Sequence, residues 1–250
     1  MKIKLIYFLL LVSLQISAQA PIELKSSKVH GLFNFMETMK GWPGTSRTLL
    51  AYGEKNIPKS NAEFYDAIAQ FTAIELDYSA KREEYPADRH QYVSTRDLII
   101  MASVQADDLD EFNRLITGYL PHIDQYKLLE SMKVIEPFYE QILWSKHQES
   151  TEAILGQIEA YKTQIQDLFA RTKIFYGSFW SDDFPFVVSL YPIPGKRGYT
   201  TATPHNNVLV GGFMTDHPKD FEGRLGVIIH EMCHVIYACL LYTSPSPRDS

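Results

Sequence analysis

The chain has 250 residues, of which 45% are hydrophobic and 22% charged, with 30 acidic side chains against 24 Lys and Arg and a formal net charge of −6. This is the composition of an ordinary globular protein long enough for one large domain or two small ones. An acidic chain with no Lys/Arg-rich run is not expected to bind nucleic acid or an anionic membrane surface.

At the N-terminus, Lys2 and Lys4 precede the apolar run from Leu5 to Leu14, and Ser17-Ala18-Gln19-Ala20 follows. This order predicts a secretory signal peptide over residues 1–20, with an A-x-A cleavage site before Pro21. The apolar core is too short for a membrane span, and no cysteine lies near the cleavage site to carry a lipid. The mature protein is therefore expected to be exported, periplasmic or secreted, with no stable membrane anchor. Loss of Lys2 and Lys4 takes the balance from −6 to 22 − 30 = −8.

Residues 21–177 read as a helical region. Ser60 and Glu63 fit a capping box, with Phe64, Ile68, Phe71 and Tyr78 following at helical spacing. Further helices are predicted over 95–106, 108–119 and 137–147, the last with Pro137 in its first turn. The clearest pattern runs over 151–175, where Ile154, Ile158, Tyr161, Ile165, Leu168 and Thr172 make a stripe. Such stripes are read as core packing.

After Gly177 the pattern changes. Phe186-Val187-Val188-Ser189-Leu190-Tyr191 reads as a strand bounded by Pro185 and Pro192. A second strand is predicted over 199–202 and a third over 207–210, ending at Gly211-Gly212. Pro218 is placed to open a further helix at its first turn, with Asp216 nearby as a cap.

That helix carries the most informative feature of the chain, His230-Glu231-Met232-Cys233-His234, the spacing H-E-x-x-H. Four positions apart on a helix, the two imidazoles project from one face and reach a single metal ion. Glu231 points elsewhere and can take a proton from water. From Leu225 to Ala238 the only strongly polar side chains are His230, Glu231 and His234, so the helix is expected to be buried on all sides. Burying two imidazoles and a carboxylate without partners costs several kcal/mol, of order ~2–7 per polar group. A Zn2+ ion would satisfy them; histidines hydrogen-bonded to a core carboxylate are the alternative. Cys233 reads as a small buried hydrophobe.

With Val227, Ile228, Met232, Cys233, Val235 and Ile236 around it, the motif resembles that of the zincin superfamily of metallopeptidases. The resemblance covers roughly the last fifth of the chain. It implies that His230 and His234 are zinc ligands, that Glu231 is the general base, and that the substrate is a peptide or protein. Tyr237 stands where the metzincin form has glycine, so the implied form is the gluzincin one, in which a glutamate on a following helix completes the site. An aspartate or histidine in that role is the alternative. The fold implied is α+β: a mostly helical N-terminal part, then a small β-sheet and the active-site helix of a zincin-like catalytic region, 178–238, that is truncated.

In such enzymes an edge strand pairs with extended substrate backbone, and 199–202 and 207–211 are both candidates for that edge. His205 and His217, near the motif in sequence, read as loop histidines. Residues 239–250 are similar to the translated adapter of sequencing libraries and are expected to be a non-native tail; a genuine Ser/Pro-rich terminus is the alternative. If Cys239 belongs to that tail, Cys233 is the only native cysteine and no internal disulfide forms. Two other functions stay open: a non-catalytic exported binding or scaffold protein on the same fold, and a zinc hydrolase acting on a non-peptide amide or ester. The sequence does not specify an oligomeric state.

Overall fold

The structure is a computed structural model that describes residues 22–76, 79–81, 92–177, 180–181, 184–194, 202–205, 207–214 and 221–243. The fold is α+β, a small sheet with helices on both faces. Strand β1 (Ile22–Ser26) opens the described chain, followed by α1 (Lys28–Met39), α2 (Arg47–Asn56) and α3 (Ala62–Thr72). A short hairpin, β2 (Ser79–Lys81) with β3 (Tyr92–Ser94), leads into α4 (Thr95–Gln105), α5 (Leu109–Leu115) and α6 (His122–Tyr139). A single π-helical turn (Glu140–Trp144) joins α6 to α7 (Ser145–Glu159), and α8 (Lys162–Tyr176) follows. Strands β4 (Phe186–Ile193), β5 (Ala202–His205) and β6 (Val208–Met214) then precede α9 (Phe221–Thr243).

The main sheet has the order β1-β4-β6-β5, with β1, β4 and β6 parallel and β5 antiparallel at the edge. Every residue of β4 is buried, as expected of a strand covered on both faces. Period-2 alternation divides its side chains between two cores. Val187, Tyr191 and Ile193, with Val208 and Val210 of β6, join the core built by α1 to α6. Phe186, Val188 and Leu190, with Leu209 and Ile22, join the second core, formed with α7, α8 and α9.

Several predicted elements are relocated. The cap of α3 is Asn61, whose side chain accepts from the Phe64 amide, not Ser60. Asp108 caps α5 by accepting from the Glu111 amide, but the helix ends at Leu115, and Gly118 at φ 87° turns the chain. Pro137 lies deep inside α6 rather than at a helix start. The helix carries on past it through the π turn, where the Ser145 amide reaches back five residues to the Glu140 carbonyl. The long helix expected over 151–175 is broken at Ala160 and Tyr161, so Tyr161 is 45% exposed, and Phe169 takes the core position next to Ile165. Tyr78 lies outside the described residues.

The strand expected to stop at Pro192 runs on to Ile193. The Val187 amide donates to Asn207 on the β6 side, so alternation directs position 192 toward β1. There β1 has already ended, its last residue Ser26 pairing with Leu190, and a proline without an N–H removes no ladder bond. Strand β6 likewise runs through Gly211 and Gly212 to Met214. A Cβ on Gly212 would clash with Ile193 Cδ1 and lie 3.1 Å from Tyr191 Cζ, so the glycine lets these side chains close over the sheet.

Candidate metal centre

Helix α9 follows β6 and packs across β5 and β6 and against α7 and α8. Ile228, Met232, Val235 and Ile236, at spacings of four, three and one, form the buried stripe that anchors it in the second core. The opposite face carries Gly226, Val227, His230 and His234, all exposed, while Glu231 and Cys233 lie on the flanks, half-buried. This overturns the expectation of a helix buried all round: the apolar neighbours of the motif divide between a packed stripe and an open face, and the imidazoles fall on the open one. No desolvation penalty therefore forces an ion between them. What remains is their geometry.

The two rings stand edge to face, with centroids 4.6 Å apart and planes at 88°. Their Nε2 atoms approach to 3.0 Å, so that one ring N–H donates to the lone pair of the other. Zinc–imidazole bonds of about 2.0–2.1 Å in a tetrahedral shell place two ligand nitrogens about 3.3 Å apart. A small rotation of either ring would open the pair to that separation, so the donor set and its spacing fit a zinc ion. Among the described residues no group of three or more His, Cys, Asp or Glu side chains converges as a metal site. Cys233 lies 100° around the helix from His234, away from the imidazole face.

Of the two candidate edges, the segment 207–211 is internal, held between β4 and β5, and β5 takes the edge from Ala202. His205 is the last residue of β5, a strand position and not a loop one; His217, Pro218 and Asp216 lie outside the described residues. The backbone of α9 continues as helix through the first part of 239–250, to Thr243. Among the described residues no helix is long and apolar enough to cross a membrane.

A second polar cluster, which periodicity does not announce, sits in the other core. The carboxylate of Glu37, a residue 1% exposed, accepts from Arg96 Nε and Nη2, each at 2.6 Å. His30 Nδ1 lies 3.0 Å from Ser103 Oγ, whose own hydrogen goes to the Ile100 carbonyl, so the imidazole donates from Nδ1. The Tyr191 ring edges against His30 at 5.3 Å, and burial, with the nearby Glu37 charge, pushes the Tyr191 phenol well up. These groups knit α1, α4 and β4 together and are structural. No family model, curated protein or solved structure matches this chain.

Proposed function

We propose that this chain is part of an exported zinc-dependent peptidase in which His230 and His234 hold the metal and Glu231 is the general base. The observation that supports the reading is the convergence of the two Nε2 atoms to 3.0 Å on an accessible helix face, with a carboxylate one residue along. Zinc, when bound, supplies Lewis acidity toward water and toward the scissile carbonyl. The histidines fix the position at which that chemistry occurs, because the packed stripe of Ile228, Met232, Val235 and Ile236 holds the helix that carries them. Glu231, half-buried on the flank, accepts a proton from the attacking water and delivers it to the leaving amine.

Two imidazoles are one ligand short of the three that an open hydrolytic site uses. In this reading the third lies on a segment beyond the motif, and the peptide substrate lies along the exposed face of α9. The signal-peptide pattern of residues 1–20 supports the exported part of this reading.

The deciding variant is Glu231→Gln in the full-length protein. Zinc content by elemental analysis should stay near that of the parent, while turnover of a mixed peptide library falls by a factor of at least about 10². Undiminished turnover would remove Glu231 from its role. Turnover of non-peptide amides or esters alone would change the substrate class.

A further inference from the structure

We propose that Lys40 is a nucleophilic amine that captures small aldehydes as an imine, a covalent ligand site in the helical layer and separate from α9. Its surroundings follow from the way α1 ends. Lys40 caps the helix, Gly41 takes φ 79°, and the Gly41 and Trp42 amides donate back to the Thr38 and Glu37 carbonyls. This pair of reverse bonds is the Schellman arrangement, which a glycine in the left-handed region allows. It folds Trp42 back along the helix, with its ring centroid 4.9 Å from Lys40 Nζ. The ring of Phe71, near the end of α3, lies 4.7 Å from the same atom.

Two aromatic faces therefore replace water around the ammonium. The Glu37 carboxylate, one turn back on α1, is already engaged by Arg96 Nε and Nη2, and the Arg96 guanidinium stands 5.1 Å from the Trp42 ring. Among the described residues Lys40 makes no ion pair. Burial, with the charge of Arg96, outweighs the attraction of Glu37 and Glu75 and holds the Lys40 ammonium below its usual 10.5. More of the amine is neutral near pH 7 than in a hydrated lysine, which is how a desolvated lysine beside another cation becomes a nucleophile. Lys40 and Trp42 are both half-buried, so a small molecule reaches the nitrogen.

The neutral Nζ lone pair attacks the aldehyde carbon and forms the C–N bond. The nitrogen gives up its two hydrogens, which leave with the carbonyl oxygen as water, and hydrolysis reverses the step. The imine takes a proton from solvent, so a cation stays over the rings. An acyl group on the same nitrogen would abolish that charge, so the site suits aldehydes better than acylating agents.

Propanal with sodium cyanoborohydride, which traps each imine as a secondary amine by hydride transfer, tests this on the purified chain. Peptides quantified by mass spectrometry between pH 6 and pH 10 give a rate for each lysine. Lys133 is the reference: it is exposed, and its hydrogen bond to Glu130 at 3.1 Å holds its ammonium above 10.5. Lys40 should be labelled ahead of Lys133 at pH 7, and its rate should begin to rise at lower pH. Trp42→Ala opens the ammonium to water. It should keep the helical signal in circular dichroism yet move the Lys40 profile up toward that of Lys133, although the nitrogen becomes easier to reach. Lys40 left unlabelled, or labelled with a profile no lower than that of Lys133, would overturn the proposal on the parent chain alone. Faster labelling of Lys40 in Trp42→Ala with no change in its pH dependence would reduce the ring to packing and overturn it as well.

Discussion

Tyr139 is fully buried, and among the described residues its hydroxyl has no hydrogen-bond partner. Burial, with the nearby Tyr191 and Glu140, pushes its phenol well above the usual range. The same hydroxyl lies over Gly31 of α1, where an added Cβ would clash with it and sit 3.1 Å from Tyr139 Cζ. A buried hydroxyl without an acceptor is costly, so Tyr139→Phe should leave stability unchanged or raise it by about 1 kcal/mol. Gly31→Ala gains up to ~1 kcal/mol of helix propensity but forces apart two side chains in a packed core, a loss of about 1–3 kcal/mol. Sterics should win, and removing the hydroxyl should recover much of the loss. Urea midpoints of Gly31→Ala alone and in the Tyr139→Phe background measure this, and equal losses in both would dismiss the clash. At this scale the candidate site was legible, because His230, Glu231 and His234 are contiguous in one helical turn. Its exposure was not legible. Which side of an apolar helix is packed depends on Phe169, Leu209 and other partners distant in sequence, and the helix alone does not encode them.

Between elements, Lys28 in the first turn of α1 clamps the junction of α6 with the π turn, its Nζ lying 2.9 Å from Glu136 and 2.6 Å from Glu140. Partial burial would raise the Glu140 pKa, but the hydrogen bonds from Lys28 and Ser145 and the Lys28 charge outweigh it and hold the carboxyl below its usual value of 4.5. Burial likewise opposes the charge on Lys28, yet Glu140 and Glu136 together hold the ammonium above 10.5. The depressed carboxyl stabilises the fold above the unfolded value and loses that contribution as pH falls through the folded one. The raised ammonium contributes below 10.5 and loses it only as pH rises through its folded value. The clamp is therefore intact across the neutral range and opens on the acid side. Glu140→Gln should lower stability by about 0.5–1 kcal/mol at pH 7, the modest figure expected of a partly exposed pair. The difference from the parent should vanish as pH falls below the Glu140 transition. Urea midpoints between pH 7 and pH 3 follow it, and a difference independent of pH would mean the effect is packing. The elements this clamp joins were only partly legible. The 95–106 helix and the 186–191 strand follow from strong local patterns. Pro137 reads locally as a helix start because a proline in the first turn loses nothing, and only the π turn behind it lets α6 continue. Strand β1 escaped because its five residues, Ile-Glu-Leu-Lys-Ser, become a strand through pairing with β4, far along the chain.

Across the whole molecule, the two cores share the sheet, and β4 contributes alternate side chains to each. A strand cannot leave one core while staying in register with the other, because its backbone bonds to β1 and β6 are shared. The helical layer and the layer that holds α9 should therefore unfold in one transition. Two tryptophans report on this: Trp144 is buried in the first core and Trp180 in the second. With Trp42 and either of these two replaced by phenylalanine, fluorescence of the remaining one should trace the same urea midpoint. Phe64→Ala in the first core and Phe169→Ala in the second should each lower stability by about 3–5 kcal/mol and shift both fluorescence signals together. Separate midpoints would mean that the layers melt independently and that β4 does not couple them. The distinction bears on the candidate metal centre, because α9 touches the sheet and the second core and presents His230 and His234 from there. If the layers are coupled, Phe64→Ala, remote from the motif, should lower the temperature at which His230 and His234 cease to bind added zinc by as much as it lowers unfolding. If they are not, the imidazole pair will survive until the second core alone gives way.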